Sequence, residues 1–172
     1  SNDVDRTSIG LSWHDPAIWG SRWTSTASFT DSDDGSGWAL GLERPFYELD
    51  ARWSAGLSAE SLSQVENRYA LGTRVDSWRA DRQAFDIHRG WSSGLRGDWT
   101  RRWTAGFRYD RARFAPADTA LVGPLPDDRT LALPYMRLDL LQDDYVTAHN
   151  LDQIGRTEDL RFGTQLSAEL GV

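Results

Sequence analysis

The chain has no cysteine and no lysine, one methionine, and no long uninterrupted apolar run. The first absence excludes a disulfide framework and thiol chemistry and leaves the compartment open. The second means that all nineteen basic residues are arginine, a composition that a GC-rich bacterial genome explains. No stretch approaches the roughly 18 apolar residues of a membrane-spanning helix. No stretch reads as a signal peptide, and the abrupt Ser1-Asn2 start reads as the boundary of a fragment. Positive charge is in deficit: the net charge is −7, so nucleic acid is not an expected partner. Helical periodicity is also missing.

What the chain has instead is tryptophan and alternation. Nine tryptophans recur from Trp13 to Trp103. The stretch YELDARWSAGLSA, residues 47–59, separates into two columns. Tyr47, Leu49, Ala51, Trp53, Ala55, Leu57 and Ala59 are apolar or aromatic; the residues between them are polar or glycine. The same period of two returns at Thr7–Trp13, Trp23–Phe29, Trp38–Leu42, Tyr69–Val75, Trp103–Tyr109, Met136–Leu140 and Leu160–Leu170. Residues 78–99 read as two strands, 84–89 and 91–99. Successive side chains of a strand point to opposite faces, so each run predicts a strand with one apolar and one polar face. The fold class is all-β, an antiparallel meander of about ten strands.

Alternation is shared by a soluble sandwich, a soluble ligand-binding barrel and a transmembrane barrel, in which the apolar column faces lipid. Strand length and the polar column separate them. Thirteen alternating residues span about 43 Å at ~3.3 Å each, beyond an ordinary globular strand. The polar column carries paired charges and repeated glycine, suited to the wet interior of a curved wall. The expectation is therefore a transmembrane β-barrel or part of a larger one, in the bacterial outer membrane, with membrane lipid as its first partner. The lumen-facing charged column is Glu48, Asp50, Arg52, Arg68, Arg74, Asp76, Arg102, Arg108, Asp110, Arg161 and Glu169. The lipid-facing column is Tyr47, Leu49, Trp53, Leu57, Tyr69, Leu71, Trp103, Phe107, Leu160 and Phe162.

Two segments carry a family resemblance. TSIGLSWHDPAIWGSRW (7–23) has a strand, a short Asp-x-x-hydrophobic-x-Gly turn, and a second strand. GWALGLERPFYELDARWSAGLSAES (37–61) has an x-Pro-aromatic-x-x-x-Asp turn. They resemble the bacterial surface antigen family, the barrels of BamA and TamA, over roughly residues 7–114. The resemblance implies a barrel of about sixteen strands behind periplasmic POTRA domains, which inserts outer-membrane proteins or moves proteins across the membrane. It implies client outer-membrane proteins and periplasmic or lipoprotein partners. It makes the turns holding Asp15, Gly20, Pro45, Phe46 and Asp50 periplasmic, and 31–37 and 61–67 extracellular. Residues 1–172 then read as a single barrel region, incomplete, without POTRA domains or closing strands. A smaller porin-like or structural barrel, and a soluble β-barrel binding an apolar ligand, are the alternatives.

No catalytic residue, metal site or cofactor is expected. The triplets Arg89-Gly90-Trp91 and Arg96-Gly97-Asp98 read as a strand end and a chance match. His14, His88 and His149 lie in separate segments, without ligand spacing. The acidic pairs 33–34, 127–128 and 143–144 read as solvated loop charge. Ser12, His14 and Asp15 are close in sequence, but nothing there reads as a nucleophile turn. His88 beside Asp86 on the polar column is the nearest approach to a strand-borne catalytic pair.

Overall fold

Alternating side chains let the strands run long, through glycines such as Gly56, Gly90 and Gly106. The structure, a computed structural model, describes residues 2–3, 6–117, 124–149, 157–161 and 163–171. The strands are β1 (Asn2–Asp3), β2 (Arg6–Asp15), β3 (Thr24–Ser32), β4 (Gly35–Arg44), β5 (Trp53–Ala70), β6 (Thr73–Arg96), β7 (Trp99–Pro116), β8 (Arg129–Gln142), β9 (Tyr145–His149), β10 (Thr157–Arg161) and β11 (Gln165–Gly171). One 3-10 turn, Ile18–Gly20, lies between β2 and β3. Among the described residues no helix is long and apolar enough to cross a membrane.

Strands β1 to β8 and then β11 form one sheet in which sequence neighbours pair antiparallel; β9 and β10 form a separate hairpin. The all-β antiparallel meander is as expected. The sheet is not closed among the described residues: β1 and β11 end it, and the extensive backbone contacts run between neighbouring strands. It is thus a single layer. Among the described residues the buried apolar ones are Ala51, Ala80, Ala112, Tyr135 and Leu141, while most large apolar side chains stand exposed.

Several boundaries differ from the sequence reading, each for a local reason. The run from Tyr47 does not begin a strand; β5 starts at Trp53. Pro45 supplies no N–H, and Ala51 N–H donates to Glu48 O (3.1 Å), closing a turn. Tyr47, Leu49, Glu48, Asp50 and Arg52 therefore belong to that turn rather than to strand columns. The strand read at Tyr69–Val75 is a hairpin. Ala70 pairs with Thr73, and Leu71 and Gly72 between them both have positive φ (47° and 79°). That is the two-residue I′ pattern whose twist matches its flanking strands. Leu71 thus caps the tip instead of joining the apolar column. The polar segment 61–67, read as a loop, is the middle of β5. Residues 78–96 are not two strands but one continuous stretch of β6, bent by a bulge at Ser92–Leu95, and Gly97-Asp98 turns into β7 at Trp99. The last run divides into β10 and β11, so Leu160 and Arg161 lie outside the main sheet. Phe162 lies outside the described residues, and of Leu160 and Arg161 only the backbone is described.

The connections alternate between two ends. The lower end has the 16–23 turn, the 45–52 turn, the Gly97-Asp98 turn and the β8–β11 connection with its β9–β10 hairpin. The upper end has Asp33-Asp34, Leu71-Gly72 and the connection from β7 to β8.

Candidate functional site

Register fixes which side chains share a face. Hydrogen bonds of an antiparallel pair run perpendicular to the strands, so paired residues form rows across the sheet. One row is Leu11, Phe29, Trp38, Ser61, Gln83, Arg111 and Thr130. A lower row on the same face is Trp53, Trp91, Trp103, Leu138 and Ala168. Between them lie Leu42, Leu57, Ile87, Phe107 and Pro134, and then Trp13, Ala27, Leu40, Ala59, Phe85, Tyr109 and Ala132. The apolar residues of these rows form a belt on which, among the described residues, nothing packs. Leu57 is 42% exposed and Leu11 74%. Of the lipid-facing residues read from sequence, Trp53, Leu57, Trp103 and Phe107 lie on this belt. Tyr69 lies opposite Arg74 beside the upper hairpin turn, where a bulge shifts the register.

The belt crosses the strands obliquely. On β2 it is Ile9, Leu11 and Trp13, centred on Leu11 in the upper row. On β11 it is Leu166, Ala168 and Leu170, centred on Ala168 in the tryptophan row. These rows meet β8 at Thr130 and Leu138, eight residues apart. The drop is about 26 Å along the strands across seven strand spacings, about 34 Å, which gives an angle of roughly 38°. Strands of a membrane barrel tilt by about 35–45° to its axis, so a level apolar band would cross them at such a slope.

Aromatic and arginine side chains gather at the belt's lower margin. Trp23 and Trp53 meet edge to face, with centroids 6.1 Å apart. Arg22 lies 3.6 Å above the Tyr47 ring, and Arg44 lies 3.7 Å above the Trp53 ring. Above the belt the same face becomes polar: Ser61, Gln83 and Arg111, then Asp31, Ser36, Ser63, Asp81 and Arg113.

The opposite face is an ion-paired surface. Asp86 accepts from Tyr135 Oη (3.3 Å) and lies 3.4 Å from Arg108 Nε, and Arg108 reaches Glu169 at 3.3 Å. Arg129 pairs with Asp110 at 2.9 Å, and Arg68 pairs with Asp76 at 2.9 Å, where the Asp76 side chain has no exposure. Arg68, Asp76, Arg102, Arg108, Asp110 and Glu169 thus share this face, as the alternation required. Arg74 sits beside the upper turn. Glu48, Asp50 and Arg52 are brought to the lower end of the same face by the 45–52 turn.

That turn folds back over the sheet. Thr100 Oγ1 donates to Leu49 O (3.1 Å), Arg102 donates to Glu48 O (2.9 Å), and Arg52 donates to Ser93 O. Phe46 lies on Gly90, where an added Cβ would collide with its ring, and Arg102 sits 4.7 Å from that ring. Ala51, Ser54, Thr100 and Thr104 are buried beneath this cover. The sequence singled out Pro45 and Phe46 as turn residues, but not as the source of the burial. The signal was the small residues Ser54, Gly90 and Thr104 facing one bulky Phe.

Among the described residues the candidate side chains do not come together as a catalytic triad. His88 Nδ1 lies 3.1 Å from Asp86, but among the described residues no hydroxyl is hydrogen-bonded to His88. Asp15 accepts from Ala17 N–H (2.9 Å) on the face opposite Ser12 and His14. Asp33 and Asp128 accept backbone N–H groups of Thr7 and Phe114, each at 2.9 Å. Among the described residues no three His, Asp or Glu side chains form a group able to hold a metal. Arg89-Gly90-Trp91 lies inside β6, toward its lower end, rather than at the strand's terminus. No family model matches the chain, nor does any curated protein or solved structure.

Proposed function

We propose that the chain is part of the wall of a bacterial outer-membrane β-barrel of the BamA/TamA type, which takes part in inserting or translocating outer-membrane proteins. The observation that carries the membrane reading is the oblique, uncovered apolar belt. It lies opposite an ion-paired face and has tryptophan and arginine along one margin. Leaving it in water would be costly: each exposed large apolar side chain forgoes about 1.5–3 kcal/mol of burial. In a bilayer the belt meets hydrocarbon, the charged face lines a wet lumen, and cross-strand hydrogen bonds satisfy the backbone of the strands along the belt. The two sheet edges need further strands in that setting, because an open edge in hydrocarbon leaves backbone groups without partners. The insertase reading rests on the 15–20 and 45–50 turns, which resemble those of that family. Both turns lie at one end of the sheet, the periplasmic end in this reading.

The test is the purified chain with and without detergent. The expected result is a β-rich circular dichroism spectrum in micelles or bilayers, and aggregation or sheet loss on detergent removal. A dispersed, β-rich chain in plain buffer would replace the membrane wall with a soluble barrel. The finer reading is tested by depleting the protein from cells. Falling levels of several other outer-membrane proteins support it; altered solute uptake with those levels unchanged points to a porin-like barrel.

A further inference from the structure

The apolar face carries one feature that a plain lipid-facing wall does not need. Arg89 of β6 projects from it among apolar side chains, paired in register with Ala55 on one side and Ala105 on the other. The two alanines leave a shallow groove of about 590 Å³, with Leu42, Leu57, Ile87 and Phe107 along it and Trp23 at its edge. Among the described residues no carboxylate lines the groove, and Arg89 is the one arginine there. Nor does β5, β6, β7 or β8 place a carboxylate on this face between the tryptophan row and the row of Leu57 and Phe107. Arg89 has neither an ion pair nor a hydrogen bond among the described residues. Arg44, next in its row beyond Ala55, and Arg101, below Trp103, extend the positive charge along the lower margin.

We infer that this groove binds a phospholipid with an anionic headgroup. Its acyl chain would lie along Leu57, Ile87 and Phe107, and its phosphate would meet Arg89. The inference rests on the membrane reading. An arginine deep in hydrocarbon is costly, but near the interface the cost falls to about 0–1 kcal/mol, and the long stem can carry the guanidinium toward the headgroups. One row above the tryptophans, Arg89 stands at that depth. A guanidinium without an internal carboxylate is suited to bidentate binding of phosphate. Arg44 and Arg101 then favour a net-negative lipid over a zwitterionic one.

The test uses the full chain in phosphatidylcholine vesicles containing a small fraction of lipid with brominated acyl chains. The brominated lipid is either phosphatidylcholine or phosphatidylglycerol. Bromine quenches nearby tryptophan, and Trp23, Trp53, Trp91 and Trp103 surround the groove's lower end. Phosphatidylglycerol is expected to quench at least about twofold more strongly than phosphatidylcholine, with the excess falling at high salt. Arg89→Gln should bring the ratio close to one with an unchanged circular dichroism spectrum, whereas Arg101→Gln should leave most of the excess. Quenching by both lipids at a ratio of one, or a salt-insensitive ratio in the unaltered chain, overturns the inference and leaves the membrane reading standing. A full excess in Arg89→Gln overturns the assigned site. No quenching by either lipid sinks the membrane reading itself.

Discussion

The two ends of this sheet solve the same problem differently. At the lower end the polar face is covered: Phe46 lies on Gly90, three backbone carbonyls of the turn and of β6 accept side-chain donors, and Thr100 and Thr104 are nearly inaccessible. At the upper end β5 and β6 run on beyond their other neighbours as a hairpin, and charge replaces cover. Glu66 accepts from Arg82 (2.6 Å) and Trp78 (3.1 Å), and Arg68 holds Asp76. On the opposite face the lower half is apolar along β5 to β7 and the upper half is polar. The difference teaches that strand length and strand burial are separate matters here. The longest strands extend furthest where they bury least apolar surface.

The comparison can be broken most forcefully on the belt. Leu57→Arg puts a charge at mid-belt and should cost about 2–4 kcal/mol, read as a lower urea midpoint in bilayers or as failed assembly. A neutral result would remove lipid from that face. Phe46→Ala uncovers the lower end and should cost about 2 kcal/mol, less than for a fully buried Phe because this ring is half-buried. Proteolysis within 45–52 should rise with it; unchanged protection would mean that backbone bonds alone hold the turn. Arg68→Gln at the upper end should cost about 1.5 kcal/mol, because Asp76 keeps a buried carboxylate without its charged donor. Restoring stability with Asp76→Asn in the same chain would identify the pair as the cause. The smallest effect belongs to Ser61→Arg, on the belt's own face but two rows above Leu57. It should stay within about 0.5 kcal/mol, and a loss as large as that of Leu57→Arg would move the belt's upper margin.

Much of the fold was legible because a strand's two faces are written at a spacing of two. The apolar positions Trp53, Leu57, Trp103 and Phe107, and the polar positions Arg102, Arg108 and Asp110, needed no neighbour to be placed. The errors fell where alternation continued through a turn. Tyr47–Arg52 keeps perfect alternation, yet the missing N–H of Pro45 and the docking of Phe46 hold it off the sheet. Arg68–Asp76 also alternates, yet Leu71-Gly72 folds it into a hairpin. Conversely, the polar run 61–67 continues β5 because β6 pairs with it throughout. Arg89 was legible as a residue but not as a charge set in a groove among apolar side chains, since that setting depends on Ala55 and Ala105 from two other strands.

The sequence by itself determined an antiparallel, all-β chain whose strands each have one apolar and one polar face, because side-chain direction is a local property of extended backbone. Only the tertiary structure decided where on each strand the apolar stretch sits relative to the next. That position depends on register, and register is set jointly by turn geometry and cross-strand pairing. The slope of the belt, the arginine in its groove and the cover over the lower end all follow from that register.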